Sequence, residues 1–442
     1  MKQSAKTILI LGGDGYLGWS LGLAFAKRTE YRVVLVDSLI KRDWEKEVEA
    51  KLLVPFKQPQ ERIEDYRKIF KKDNLTFERI CLLDKKSVVD LIERYRPFLI
   101  INSAQQPSAP FSMMSVKNAA ATFSNNILGH LNVLWAIAET DKDINYIKLG
   151  SAGCYMGIDT DYLPLHKIDL EFKYGGYNHQ VLDSWLPMCA TDFYHQSKIF
   201  DFHISDLCAS AWNLKTVTVQ QATIFGATIP ENRPVENHDL ATRFNYDSVF
   251  STVMNRFVCE LAIGHPLTVY GDGSQKTGLI SLSDTVDNFI KISELEIKPG
   301  EHKLIHNFSF RLTVGEIAET LAEVDKNGVS YDNNSLLAER YGLELPVSAS
   351  GEQISVALPV VAEDMENCQK SYHAKIQYLD NPRLEPKGKL AREVEIHSVI
   401  KNENEDGRQK LKEELSDFLS FVKLYKDNID TSIIMPKVKW QK

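Results

Sequence analysis

The sequence predicts an α/β protein with a doubly wound parallel sheet and a second, smaller α+β domain. Two patterns lead there. Short, wholly apolar runs alternate with helical patterns through the first half of the 442 residues. A continuous apolar run suits a strand covered on both faces, and helices between such strands make the sheet parallel. The second pattern is a glycine-rich turn placed between the first apolar run and the first helix, where such folds receive phosphates.

Taken in order, the expected strands are Thr7–Leu11, Arg32–Asp37, Arg79–Leu83, Phe98–Asn102, Ile144–Leu149 and Thr216–Ile224, six in all. Helical patterns fill Trp19–Arg28, Ser115–Glu139 and Phe193–Trp212. The charged stretch Asp43–Asn74 is longer than an ordinary connection and is expected to be an insertion with its own helices. Tyr155–Thr191, with Gly175-Gly176 and scattered aromatics, reads as a long loop. Residues 1–226 are accordingly expected to form the first domain, interrupted by insertions at 43–74 and 155–191. Residues 227–442 supply mainly the second domain, with 266–310 returning to the first. Tyr341–Glu405 is rich in Pro, Glu, Asn and Lys and reads as a partly flexible insertion.

Composition excludes several classes of function. Lys+Arg 52 against Asp+Glu 60 leaves a net charge of −8 and no basic block, so nucleic acid is not an expected partner. Six cysteines lie far apart, without zinc-site spacing or secreted-scaffold density; no metal is expected, and a reducing, cytoplasmic setting fits. No apolar run approaches the roughly 20 residues of a membrane span, and the first strand pattern begins after only Met1 to Lys6.

The chemistry begins at Gly12-Gly-Asp-Gly15-Tyr16-Leu17-Gly18. Glycines at 12, 15 and 18 let the backbone turn tightly and approach a pyrophosphate at the positive end of the following helix, and Tyr16 and Leu17 within the turn count among the cofactor residues. The second strand ends in Asp37, about 20 residues further on, followed by Ser38; a carboxylate there suits the ribose hydroxyls of NAD. Lys41 and Arg42 nearby would instead suit a 2′-phosphate.

A second constellation is Tyr194-His-Gln-Ser-Lys198. Residues i and i+4 share a helix face, so the Lys198 ammonium can favour the Tyr194 phenolate and make it a general base. Ser151, at the end of the fifth strand, can offer a hydroxyl to the same substrate oxygen.

With these residues in view, the chain resembles the extended short-chain dehydrogenase/reductase superfamily. Asn126-Ile-Leu-Gly129-His-Leu-Asn132 looks like that family's supporting helix motif. Ser108-Ala-Pro-Phe-Ser-Met113, Arg243-Phe-Asn-Tyr-Asp-Ser-Val-Phe250, Asn255-Arg-Phe257, Gly264-His-Pro-Leu-Thr-Val-Tyr-Gly271 and Ile434-Met-Pro-Lys-Val-Lys-Trp440 narrow the resemblance to the UDP-sulfoquinovose synthase family. The resemblance implies a tightly held NAD, oxidation of a UDP-linked sugar at C4, loss of the 6-hydroxyl, and addition of sulfite or another nucleophile at C6. It implies Ser151, Tyr194 and Lys198 as catalytic residues. Leu82, Asn126 and Gln221 join the cofactor residues, with Leu82 serving where Cys81 replaces an adenine-binding Asp. Gln106, Cys154, His195, Arg256, Gln275 and Arg383 are the candidates on the substrate side, and a homodimer through Ser115–Glu139 and Phe193–Trp212 is implied.

The chain departs from that family at the sugar end. Ser151-Ala-Gly-Cys154 stands where the family has Thr-Met-Gly-Glu, and Pro107, Thr277 and Ser283 replace arginines. Cys154 therefore cannot be the expected acid for the departing hydroxyl; His195 and Asp192 are the nearest substitutes in sequence. Two other readings stay open, a nucleotide-sugar 4-epimerase and a noncatalytic NAD-binding scaffold.

Overall fold

The computed structural model describes residues 6–155, 167–174, 177–185, 188–270, 272–326, 376–379 and 405–434. Strands β1 (Thr7–Leu11) and β2 (Arg32–Asp37) form over the expected residues. Their side chains alternate between two separate cores: Ile8 and Ile10 pack on one face of the sheet, Leu9 and Leu11 on the other. Each fully buried aliphatic side chain of this kind contributes about 1.5–3 kcal/mol relative to exposure.

Between and after them lie α1 (Tyr16–Arg28), α2 (Ile40–Glu47), α3 (Pro59–Phe70), β3 (Leu75–Arg79), α4 (Lys85–Tyr95), β4 (Leu99–Asn102), α5 (Ala109–Met113), α6 (Val116–Phe123), α7 (Gly129–Thr140) and β5 (Asn145–Leu149). A hairpin of β6 (Lys167–Tyr174) and β7 (Tyr177–Trp185) precedes α8 (Phe193–Trp212), β8 (Lys215–Gln221) and β9 (Thr223–Phe225). The carboxyl half adds α9 (Val253–Ala262), β10 (Leu267–Tyr270), β11 (Lys276–Ser281), α10 (Leu282–Ser293), β12 (His302–Asn307), β13 (Phe310–Thr313), α11 (Val314–Lys326), β14 (Ile376–Leu379), α12 (Glu405–Leu424) and α13 (Thr431–Ile434). Seven strands make one parallel sheet in the order β12-β8-β5-β4-β1-β2-β3. Strand order reverses between β1 and β4, and the crevice at their carboxyl ends is where such sheets receive ligands.

Four expectations are corrected. The third strand is Leu75–Arg79, not Arg79–Leu83. It pairs only with β2 at the sheet edge and is half-buried, so it lacks the continuous apolar run of a central strand. The sheet has seven strands rather than six, because β12 pairs with β8 at the opposite edge through a polar sequence that periodicity does not flag. Thr216–Ile224 is split at Ala222, and β9 leaves to pair with β11. Tyr155–Thr191 contains the β6–β7 hairpin rather than only loop; its Trp185 indole donates to Asp206 (3.0 Å) and stacks edge-on against Phe202 of α8.

Helix α1 also starts at Tyr16, three residues before the expected Trp19, because the Gly15 carbonyl already accepts the Trp19 N–H. The Ser115–Glu139 pattern forms one rod, α6 and α7 joined through a single π-helical turn, Ser124–Leu128. Around α9, α11, α12 and β11 a third core gathers Phe244, Phe257, Leu267, Phe418 and Val422. Arg383 and most of Tyr341–Leu379 lie outside the described residues.

Candidate active site

The glycine turn is built so that only glycine fits. Gly12 has φ +85°, and a Cβ there would stand 2.6 Å from the Ala104 nitrogen. A Cβ on Gly18 would lie 2.0 Å from the Gly12 carbonyl. Helix α1 thus begins directly against the turn, with no side-chain cap on its first amides, an arrangement ready for phosphate. Asp37 closes the other side: its carboxylate accepts the backbone N–H of Asp14 (3.0 Å) and of Leu39 (2.7 Å). Burial and the neighbouring Asp14 carboxylate push the Asp37 pKa up, against the opposing pull of these N–H groups.

A cleft opens here, lined by Gly12, Gly15, Asp37, Ser38, Leu82, Gln105 and Asn125 among others. The glycine cradle, the uncapped helix and a carboxylate at the second strand fit a dinucleotide. Tyr16 contributes only backbone here, for its hydroxyl donates to the Gly226 carbonyl (2.6 Å). Arg42 grips Asp14 through Nε and Nη2, both at 2.8 Å. That carboxylate also takes Arg243 (2.6 Å), with Arg62 at 3.8 Å, and the Phe56 ring lies against all three guanidinium groups. Asp14 thus ties Arg42 to the floor of the turn.

Asn126 sits in the π-helical turn and is a clamp. Its side chain accepts the Gln106 N–H (2.7 Å) and donates to the Gln106 carbonyl and to Ser197 of α8. Gln106 itself is fully buried beneath this clamp. Gln221 is tied to Asn307 and Ala222 at the end of β8. The Leu82 carbonyl borders the cleft and accepts from Asn132 (2.9 Å).

Tyr194 lies in the first turn of α8, which Asp192 caps by accepting the His195 N–H. The Gln105 amide donates to the Tyr194 hydroxyl at 3.4 Å, and the Ser151 hydroxyl is near enough to pull the Tyr194 pKa down, against the larger effect of burial. Burial, followed by the acidic groups of Cys154, Asp192 and Asp201, pushes the Tyr194 pKa above the ordinary phenol value. The Lys198 ammonium lies 5.9 Å from the centre of its ring and donates to Asp201 (2.8 Å) and the Leu149 carbonyl (3.5 Å). The structure thus brings Ser151, Tyr194 and Lys198 together at the carboxyl end of β5.

Of the residues expected on the substrate side, Cys154 has its thiol fully buried, and burial pushes its pKa up to about 12. His195 takes a different posture. Its Nδ1 lies 2.6 Å from Asp192, and its Nε2 presses on Gly153, where a Cβ would meet it at 2.2 Å. Arg256 belongs to the third core, donating to the Thr268 carbonyl and pairing with Glu260; Gln275 precedes β11, its carbonyl accepting from Val314. Sequence reasoning missed Gln105, Lys148 and Asp201. Asp201 follows Lys198 by one turn of α8, whereas Lys148 hides inside an apolar strand and meets the pair only when β5 packs against α8.

Fold and site together define a nucleotide-dependent oxidoreductase-type catalyst of the extended Rossmann class. The chain belongs to the NAD dependent epimerase/dehydratase family, which matches residues 8–305, and NAD is its cofactor. It is 31% identical over 440 residues to the chloroplastic UDP-sulfoquinovose synthase of Spinacia oleracea, covering 99% of this chain and 80% of that protein. It is 33% identical over 344 residues to UDP-sulfoquinovose synthase of Sulfolobus acidocaldarius, covering 76% and 84%. In fold it matches UDP-glucuronic acid 4-epimerase from Bacillus cereus, solved with UDP-glucuronic acid and NAD, with a TM-score of 0.56 at 16% identity over 95% of this chain and 99% of that one. Among the described residues no helix is long and apolar enough to cross a membrane, and no group of three His, Cys, Asp or Glu is placed to hold a metal ion.

Proposed function

We propose that this enzyme takes a nucleotide sugar, UDP-linked, and oxidises it at C4 through Tyr194, Lys198 and Ser151, then acts at C6. The observation that carries the reading is the convergence of the Tyr194 hydroxyl, the Gln105 amide and Ser151 beside a buried ammonium and a dinucleotide cleft. The relatives named for UDP-sulfoquinovose synthesis support the substrate class.

NAD, when bound, would supply the acceptor and later the donor of a hydride at C4. Gly12, Gly15, Gly18, Asp37 and Ser38 would hold that cofactor. Tyr194 accepts the proton of the 4-hydroxyl, Lys198 offsets the phenolate charge, and Ser151 orients the oxygen. A ketone at C4 acidifies the C5 proton, which makes loss of the 6-hydroxyl feasible. That leaving hydroxyl needs a proton donor, and a thiol held neutral by burial is a poor one. The His195–Asp192 pair, imidazole against carboxylate at 2.6 Å, is the group we assign to it, with sulfite or another nucleophile adding at C6.

A second reading, a nucleotide-sugar 4-epimerase, draws on the same thiol: an enzyme that never eliminates at C6 needs no acid at Cys154. The two separate in one experiment. With UDP-glucose and sulfite, a sulfonated product by mass spectrometry supports the first; UDP-galactose alone supports the second; absence of any cofactor reduction or product from a panel of UDP-sugars overturns both.

We further propose a homodimer through α6–α7 and α8. Phe193, Phe200 and Leu207 are exposed on α8, and Leu128 and Trp135 on the facing rod, with Leu207 64% exposed. Contiguous apolar surface of this sort marks an association site.

A further inference from the structure

Beneath the catalytic pair lies an array that neither the fold nor the family assignment explains. Lys148 of β5, Lys198 of α8 and Asp201 of α8 are all fully buried. One carboxylate oxygen, Asp201 Oδ2, serves both ammoniums, at 2.8 Å from Lys198 and 3.3 Å from Lys148. The other, Oδ1, has no hydrogen-bond partner. Two cations and one anion leave net positive charge in a dry site, where charge is costly and felt strongly by neighbours.

The remaining groups around Lys148 do not cancel that charge. From α7 comes His130, neutral because burial pushes its pKa down to about 3, with its Nε2 against the Asp201 carbonyl. Its own strand supplies Tyr146, a phenol held protonated by burial. From β4 and β8 its strand partners are Asn102 and Thr218, both uncharged. Asp201 is the carboxylate that faces them: burial would raise its pKa, but Lys148 and Lys198 hold it below the ordinary range. Lys148 gives way instead, lowered by burial to about 7 despite Asp201.

We propose that Lys148 is a positioning residue for the Tyr194–Lys198 pair: by sharing Asp201 it leaves the Lys198 ammonium only partly neutralised, so that positive charge remains beneath the phenol when Tyr194 ionises. The role rests on the reading of Tyr194 as the base. When Lys148 loses its proton, the array becomes neutral and that support is withdrawn. Lys198, fixed between the carboxylate and the Leu149 carbonyl, carries the change in charge to the Tyr194 ring.

The test uses full-length protein labelled with [13Cε]lysine. One lysine signal is expected to titrate near neutral pH, to vanish in Lys148→Met, and to move the Lys198 signal, assigned through Lys198→Arg, in step with it. With UDP-glucose as probe, the pH midpoint of cofactor reduction should rise by about one unit in Lys148→Met. In Lys148→Arg the charge is kept and the neutral inflection is lost. If Lys148→Met does not fold, the Lys148→Arg profile against the unaltered protein makes the same comparison. No lysine titrating between about pH 5 and 9, or turnover with the same midpoint in Lys148→Met, overturns the proposal while leaving the C4 reading intact. Coupled lysine titrations without any cofactor reduction by UDP-glucose overturn the C4 reading and leave the shared carboxylate standing.

Discussion

In the proposed mechanism Tyr194 and Lys198 act as a pair because one helix turn sets them on the same face, while burial makes the phenol reluctant to ionise. Tyr194→Phe should lower cofactor reduction by UDP-glucose by about 10²–10⁴-fold and leave NAD bound; absorbance of reduced nicotinamide, near ~340 nm, follows it. Lys198→Ala should weaken both. A second prediction concerns His130, enclosed by Tyr146, Ser205 and the Asp201 carbonyl. Burial lowers its pKa from 6.5 to about 3, so below 6.5 the unfolded chain binds a proton that the folded one refuses. Stability from this group is present above 6.5 and is lost as pH falls toward 3. Thermal melts between those values should show it, and His130→Gln should flatten that acid limb. The local triad was legible in the sequence since its meaning lies in spacing along one helix and the end of one strand. Lys148 was not: inside Asn145–Leu149 a lysine says nothing about a carboxylate 53 positions away until β5 and α8 pack.

Among the elements, the central strands were legible and the edges were not, and the reason is exposure. β1 and β2 are apolar on both faces and could be read directly, whereas β3 and β12 at the rims are half-buried and mix polar with apolar side chains. The β6–β7 hairpin lacked a clear alternation and read as loop. The glycine turn was legible as a pattern, and its geometry now predicts a severe cost for one methyl group. Gly18→Ala places a Cβ 2.0 Å from the Gly12 carbonyl, so α1 must shift from the turn. The expected result is loss of about 1–3 kcal/mol of stability and of most of the retained NAD. Denaturant melts and cofactor assay of the heat-released supernatant measure both, and retention of a full complement of NAD would contradict the role given to the turn.

The molecule as a whole is expected to purify with NAD(H) bound, because a reaction that removes and returns one hydride gains nothing by exchanging it. Light scattering at micromolar concentration should find a dimer, and Leu207→Glu, on the exposed stripe of α8, should shift it toward monomer. The segment carrying α2 and α3 bears on how that cofactor comes and goes. Its Arg42 and Arg62, with Arg243 from 229 residues further along the chain than Asp14, converge on one aspartate in the glycine turn. The same segment is fastened between its two helices by Lys51 to Asp430 and by Asn428 to the Leu53 carbonyl, the latter across 375 residues. A turn held from so many distant parts of the chain does not breathe by itself. Release of a dinucleotide is then expected to demand opening on the scale of a foldon rather than of a loop, and the bound molecule's residence would become a property of the protein's own lifetime: one cofactor, taken up as the chain closes, would serve for as many cycles as the fold survives.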